Sequence, residues 1–223
     1  MSIKQQLHHI KNTIPEHVTL VAVSKTKPLA ALQEAYDAGQ RIFGENKIQE
    51  MTEKWEVLPK DIQWHMIGNL QRNKVKYMAE YVSLIHGVDS LKLLQEINKQ
   101  AKKHSRIINC LLQVKIAKED TKAGMSVEEA KVILDSGDFT NLNNIKIVGL
   151  MGMATFTENK EQIATEFQSL KHIFNNLKQL NTDNCSLTTV SMGMSGDYEL
   201  AIESGSTMIR VGSSIFGSRN YKN

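Results

Sequence analysis

Short apolar runs alternate with amphipathic stretches along the whole chain. Eight runs have the length and the Val, Ile and Leu content of buried β-strands, and they lie at residues 18–23, 41–43, 62–67, 82–86, 107–114, 145–150, 187–191 and 207–211. Between the runs, apolar residues recur at helical spacing, for example at Leu91, Leu94 and Ile97. This alternation is typical of a parallel sheet whose strands are joined by helices.

Local signals mark where the helices begin and end. Pro28 and Gly39 bracket one predicted helix. Ser126 and Glu129 have the pattern of a capping box, for a helix that we expect to end at Gly137. Further helices are expected near residues 3–12, 47–57, 73–81, 91–101, 167–177 and 197–204.

Eight βα units in 223 residues fit a closed (β/α)8 barrel, or TIM barrel, with an extra N-terminal helix. The second and fourth apolar runs are short, so an open, doubly wound parallel sheet is the alternative. We find no internal repeat, and no proline follows Pro59 to mark a linker. Residues 1–223 are therefore expected to form one domain.

Composition narrows the class of protein. Hydrophobic residues make up 41% and charged residues 23%, which is ordinary for a globular protein and excludes a disordered or collagen-like chain. The net charge is only +3 and the lysines are spread along the chain, so no nucleic-acid partner is expected. We predict no secretory leader and no membrane span, and two cysteines suit a reducing compartment. The expected location is the cytoplasm.

In a barrel of this kind the chemistry lies at the carboxyl ends of the strands. Lys25 directly follows the first strand. An amine that points into the barrel mouth is desolvated, which favours the neutral, nucleophilic form that a Schiff base requires. The alternative is a solvated lysine just beyond the strand, and Lys27 is expected to be one.

The loops after the last two strands are suited to a phosphate group. Residues 191–197 and 210–214 include small residues with free backbone N–H groups and hydroxyl donors, and barrels commonly bind phosphate here. The alternative is two ordinary glycine-containing turns. Residues 212–219 are not a P-loop, since Ser218 stands where its lysine would be. A lysine nucleophile, a phosphate cradle and Arg210 on one face suggest pyridoxal phosphate.

Five segments carry a family resemblance: Val23–Pro28, Phe43–Asn46, Trp64–Gln71, Ser191–Ser195 and Gly205–Gly212. In this order they resemble the pyridoxal-phosphate homeostasis protein family, which shares the fold of the alanine racemase N-terminal domain. The resemblance implies that Lys25 holds pyridoxal 5'-phosphate as an aldimine and that Arg210 faces the pyridine nitrogen. It further implies two sets of cofactor-binding residues, which are Ser191, Gly212 and Ser213 at the phosphate, and Asn46, His65 and Met151 beside the ring. Ser213 stands where a threonine is expected and keeps the hydroxyl.

Three functions are compatible with a lysine in this position. The favoured one is a non-catalytic protein that buffers or delivers pyridoxal phosphate, with apo-enzymes as acceptors and a monomeric state. The alternative is an amino-acid racemase, which needs a second base opposite Lys25. In alanine racemases a tyrosine from a second domain supplies that base, and no such domain is expected here. A Schiff-base aldolase would need acid–base groups around Lys25 that we cannot identify.

The remaining candidates have ordinary explanations. His65, His86 and Asp89 match no metal-ligand spacing, so no metal is expected. Cys110 is a small core residue in the middle of a strand. Lys122 is in a solvated loop and could reach an incoming phosphate.

Overall fold

Eight parallel strands close into a barrel in the order of the chain, with β8 paired to β1. The computed structural model describes residues 1–119, 123–180 and 182–218. The strands are β1 (Thr19–Val23), β2 (Ile42–Glu45), β3 (Gln63–Met66), β4 (Val82–Val88), β5 (Ile108–Gln113), β6 (Ile145–Met151), β7 (Cys185–Met194) and β8 (Met208–Val211). The predicted TIM barrel is thus confirmed, and the open sheet is excluded.

Helices cover the outside of the barrel, and the predicted N-terminal helix is present. They are α1 (Ile3–Thr13), α2 (Leu29–Asp37), α3 (Ile48–Val57), α4 (Leu91–Lys103), α5 (Val127–Leu134), α6 (Gly137–Thr140), α7 (Lys160–Leu177), α8 (Tyr198–Glu203) and α9 (Ser213–Phe216), with a 3₁₀ helix at Arg72–Tyr77. No helix in the described part of the chain is long and apolar enough to span a membrane.

Several predicted boundaries are wrong, and three of them bear on the site or the surrounding helices. The helix expected at 73–81 is the short 3₁₀ helix Arg72–Tyr77. The Ser126–Glu129 capping box is present, but α5 ends at Leu134, and a separate short helix with Ser136 as its N-cap follows. Strand β7 continues to Met194, three residues beyond the predicted end at 191. The extension of β7 matters most, because it decides which residues reach the barrel mouth.

The side chains divide into two cores, one on each face of the barrel wall. Alternate strand residues point inward, and Val21, Leu84, Leu111, Met151 and Met208 form a small apolar cluster inside the barrel. The larger core lies between the strands and the helices and contains the fully buried rings of Trp64, Phe43, Phe139 and Phe167. Burial on both faces explains why the strands are nearly continuous apolar runs.

A buried ion pair joins α3 to the carboxyl end of β1. The Nζ of Lys54 donates to Oε1 of Glu45 at 2.8 Å and to the carbonyl oxygen of Ser24 at 2.8 Å. The Ser24 hydroxyl donates to the same Glu45 oxygen at 2.6 Å. Burial raises the pKa of Glu45, and the charge of Lys54 opposes this shift. The ammonium of Lys54 therefore compensates a carboxylate that is 0% exposed.

The first prediction concerns this pair. Lys54→Met should lower the free energy of unfolding by about 3–5 kcal/mol, because it leaves the Glu45 carboxylate buried without a counter-charge. The deficit should shrink as the pH falls, since protonation of Glu45 removes the buried charge. Urea unfolding at several pH values measures both effects. The matched control is Glu45→Gln with Lys54→Met, which should recover most of the loss; an equal deficit in the double variant contradicts the assignment.

Candidate functional site

A cavity of about 570 Å³ opens at the carboxyl ends of the strands. Its wall is formed by residues at or after the ends of most of the strands: Val23, Lys25, Lys27, Asn46, Ile67, Gly68, Asn69, Gln113, Ala123, Met153, Phe156, Met194, Ser195, Gly196, Arg210, Gly212, Ser213 and Gly217. Charged, polar and apolar side chains all line this cavity. Its volume is within the range of small-molecule sites, which is roughly 300–1,000 Å³. The mouth of the barrel is therefore the candidate site.

The turn that carries Lys25 is held from several sides. Ser24 is fully buried, and its carbonyl oxygen accepts from Lys27 N at 3.0 Å as well as from Lys54. Thr26 has a φ of 65° and donates its N–H to Glu50 Oε1 at 2.6 Å. A positive φ at a β-branched residue is costly and persists only where the surroundings fix it. The half-buried Lys25 thus leaves the strand from a rigid turn, at the cavity wall.

Lys27 is not the solvated lysine that the sequence analysis expected. It is half-buried, and its Nζ donates to the carbonyl oxygens of Phe216, Gly217 and Ser218 at 3.0, 2.9 and 3.1 Å. These carbonyls belong to the end of α9 and the residues after it, where a cation is favoured. Lys27 therefore fastens α9 to the turn after β1.

The loops after β7 and β8 meet through a serine that the sequence analysis did not select. The N–H of Gly212 donates to Ser195 Oγ at 3.0 Å, and Ser213 begins α9 beside it. A side chain at position 212 would crowd the main chain of Val23, whose carbonyl oxygen would lie 3.1 Å from an added Cβ. Ser195, Gly212 and Ser213 thus lie together on one part of the wall.

Ser191 lies below the cavity instead of lining it. Its hydroxyl is 0% exposed and contacts two side chains, accepting from Arg210 Nη1 at 2.6 Å and lying 3.1 Å from Nδ1 of His86. Because β7 runs on to Met194 and Gly193 turns there with a φ of +96°, Ser195 reaches the mouth. Ser195 could have been found from the sequence, because it is the second serine of the segment Ser191–Ser195.

Two further predicted residues are also beneath the cavity. His65 is 4% exposed, and its Nδ1 lies 3.1 Å from Nε2 of His86. Burial lowers the pKa of His65 to about 3 and that of His86 well below its ordinary value, so both rings are neutral at physiological pH. Met151 is in the apolar cluster inside the barrel.

The described residues contain no group of three side chains able to hold a metal ion.

Arg210 links this buried layer to the cavity. It lines the cavity wall, is only 4% exposed, and donates through Nη2 to the carbonyl oxygen of Gly152 at 3.1 Å. Burial lowers the pKa of Arg210 to about 10, which still leaves the guanidinium charged at neutral pH. A permanent cation with only donor groups therefore faces whatever occupies the cavity.

Five of the eight predicted site residues thus share the cavity wall: Lys25, Asn46, Arg210, Gly212 and Ser213. His65, Met151 and Ser191 do not line it. Lys122 lies outside the described residues.

A second cavity, of about 670 Å³, adjoins the first and shares Asn46 and Asn69 with it. Lys47, Lys74 and Tyr77 line its other side. Neither Lys25 nor Arg210 is in its wall, so the first cavity remains the candidate site despite being smaller.

Comparison with known proteins defines the class first. The family model described as the alanine racemase N-terminal domain matches residues 1–220. An alanine racemase from Clostridium difficile superposes with a TM-score of 0.79 at 14% identity, over 99% of this chain and 57% of that one. The class is therefore a barrel of the alanine racemase N-terminal type.

Relatives at higher identity define the family within that class. A pyridoxal phosphate homeostasis protein from Aquifex aeolicus is 39% identical over 91% of this chain and 87% of its own length, and one from Escherichia coli is 36% identical over 93% and 88%. PipY from Synechococcus elongatus, solved with PLP bound, is 36% identical with a TM-score of 0.87, over 97% of this chain and 100% of that one. The chain belongs to the pyridoxal phosphate homeostasis protein family.

The second prediction tests the packing of the site. An added Cβ at Gly68 would lie 2.5 Å from the carbonyl oxygen of Asn46, a main-chain atom that cannot easily give way. Gly68→Ala should therefore lower the free energy of unfolding by about 1–3 kcal/mol and displace Asn46 from the cavity wall. Gly196 also lines the cavity but has open space at its Cβ position, so Gly196→Ala is the matched control. Equal stability of both variants in urea would contradict this packing.

Proposed function

We propose that this protein holds pyridoxal 5'-phosphate covalently through Lys25 and serves in pyridoxal-phosphate homeostasis, as a buffer or delivery protein without robust catalysis. The observation that carries the proposal is the shared cavity wall of Lys25, Arg210 and the donors of Ser195, Gly212 and Ser213. The family supports it, because a relative of 36% identity was solved with PLP bound.

The residues of the cavity fit the three functional parts of this cofactor. The aldehyde requires a primary amine, which Lys25 supplies from a rigid turn. The phosphate requires N–H and hydroxyl donors, and we assign it to Ser195, Gly212 and Ser213. The pyridine nitrogen requires a polar partner, which we assign to Arg210. The surroundings of the buried Ser191 hydroxyl favour a position behind Arg210 over the phosphate contact first expected.

Arg210 also supports a carrier over an enzyme that uses the cofactor ring as an electron sink. Racemases tolerate an arginine here because two well-placed bases compensate, so Arg210 alone does not separate a carrier from a racemase. When bound, pyridoxal phosphate can act as an electron sink for amino-acid chemistry, most effectively with its ring nitrogen protonated. A guanidinium only donates hydrogen bonds, so Arg210 opposes that protonation. The racemase alternative rests on the similarity to alanine racemases. These are only 14–16% identical to this chain, so the similarity shows a shared fold and not a shared activity.

The proposed function also concerns the domain organisation, oligomeric state, location and partners of the protein. We propose that residues 1–223 act as one cofactor-binding domain, as a monomer in the cytoplasm, and that apo-enzymes accept the cofactor. A Schiff base is reversible, so a covalently held aldehyde can still be released to another lysine. Cys110 and Cys185 are both buried free thiols, which suits a reducing compartment.

The third prediction tests the covalent attachment. Incubation with pyridoxal phosphate should give a visible absorption band, and borohydride reduction followed by peptide mapping should place the adduct on Lys25. Lys25→Arg keeps the positive charge but removes the nucleophilic amine, so its band should be absent. The nearby Lys27 provides the comparison, since its Nζ is engaged by three carbonyl groups. A reduced adduct on Lys27, or a band that survives in Lys25→Arg, contradicts the proposal.

The fourth prediction tests the phosphate contacts. Hydrogen bonds to a charged group contribute about 1.5–3 kcal/mol each, so pyridoxal without the phosphate should bind at least about tenfold more weakly. Ser195→Ala with Ser213→Ala should weaken binding of the phosphate form and leave the affinity for pyridoxal nearly unchanged. Spectral titration measures all four affinities. An equal loss for both ligands would show that these serines do not contact the phosphate.

A further inference from the structure

Four side chains form a continuous buried hydrogen-bond chain beneath the cavity. Arg210 Nη1 lies 2.6 Å from Ser191 Oγ, which lies 3.1 Å from His86 Nδ1. Nε2 of His86 lies 3.1 Å from Nδ1 of His65. All four side chains are at most 4% exposed, so water does not compete for these contacts. We call this set, Arg210–Ser191–His86–His65, the buried chain.

The direction of each bond in the buried chain follows from donor counting. Arginine can only donate, so the Ser191 oxygen accepts. Among the described residues the Ser191 hydroxyl has one other partner, His86 Nδ1, and a buried hydroxyl proton left without an acceptor is costly. The hydroxyl therefore donates to His86 Nδ1, and that nitrogen carries no proton.

The same counting fixes both imidazole rings. A neutral His86 without a proton on Nδ1 carries it on Nε2 and donates to His65 Nδ1. His65 then carries its own proton on Nε2, for which the described residues supply no acceptor. The reverse order would instead leave the Ser191 proton without an acceptor, and this is the less favourable arrangement because Ser191 is 0% exposed and His65 is 4% exposed. A second proton on His65 would place its Nδ1–H against the Nε2–H of His86, and a second proton on His86 would leave the Ser191 hydroxyl without an acceptor. Both effects agree with the lowered pKa values of the two histidines. The buried chain thus has one direction, from Arg210 to His65.

We propose that Ser191, His86 and His65 are positioning residues that act through Arg210. Arg210 Nη1 donates to Ser191 of the buried chain, and Arg210 Nη2 donates to the carbonyl oxygen of Gly152. These two contacts fix the plane of the guanidinium at the cavity wall. An arginine held at both terminal nitrogens is preorganised and does not need to reorder when a ligand arrives. This inference rests on the proposed function, since it assigns the pyridine nitrogen of pyridoxal phosphate to Arg210.

The first experiment reads the direction of the chain in the protein without ligand. Nitrogen-15 NMR of the imidazole rings distinguishes a protonated from a bare nitrogen. His65 and His86 should both be neutral at pH 7, with the proton on Nε2 and a bare Nδ1. Ser191→Ala removes the hydroxyl that sets this order, so the resonances of His86 and of His65, one link further, should shift. The matched control is Ser206→Ala, which removes an equally buried hydroxyl bonded to main-chain carbonyls outside the chain.

The second experiment reads the effect on the ligand. With pyridoxal phosphate labelled at its ring nitrogen, the resonance should indicate an unprotonated nitrogen in the unaltered protein and in Ser206→Ala. In Ser191→Ala it should shift toward the protonated position, because Arg210 loses one of its two anchors.

The outcomes separate this inference from the proposed function. A proton on Nδ1 of either ring, or a charged ring at pH 7, overturns the chain even if the protein binds pyridoxal phosphate through Lys25. An unchanged ring-nitrogen resonance in loaded Ser191→Ala overturns the positioning effect. A protein that takes up no pyridoxal phosphate refutes the proposed function, while the imidazole measurement still decides the direction of the chain. The measurement on the unaltered protein stands even if Ser191→Ala fails to fold.

Discussion

The buried contact between Lys54, Glu45 and Ser24 fixes the position of the turn that carries Lys25, and the site depends on this turn. It joins helix α3 to the ends of β1 and β2 at the place where the chain turns toward the cavity. Glu50, also on α3, binds Lys54 and the N–H of Thr26, so the same helix holds both sides of Lys25. A charge pair this deeply buried is costly to assemble, but once formed it strongly penalises any other arrangement. Lys25 thereby leaves the barrel from a defined point.

The barrel interior is built in three levels. The lowest is the apolar cluster that includes Leu84 and Met208. The next contains the buried chain, whose four side chains, including His86 and Arg210, are linked by three hydrogen bonds. The cavity lies at the open end, where Lys25 and Ser195 line the wall. A polar layer between an apolar floor and a binding cavity is tolerated because hydrogen bonds link its side chains to one another.

The sequence was sufficient for the barrel and for Lys25, because strand burial produces apolar runs and a lysine after such a run must lie at the mouth. It was not sufficient for residues whose placement depends on register. The β7–β8 pairing shifts between Ser191 and Met194, so which of two serines reaches the cavity cannot be counted from the sequence. Lys27 was misjudged for a similar reason, since its carbonyl partners are about 190 residues away in the chain. Long-range contacts of this kind leave no local pattern.

The most direct test of the account is a crystal structure of the protein with pyridoxal phosphate. We expect electron density continuous from Lys25 Nζ to the cofactor, with the phosphate against Ser195, Gly212 and Ser213 and the ring nitrogen facing Arg210. Cofactor bound without a covalent link, or located in the adjoining cavity between Lys47 and Tyr77, would contradict it.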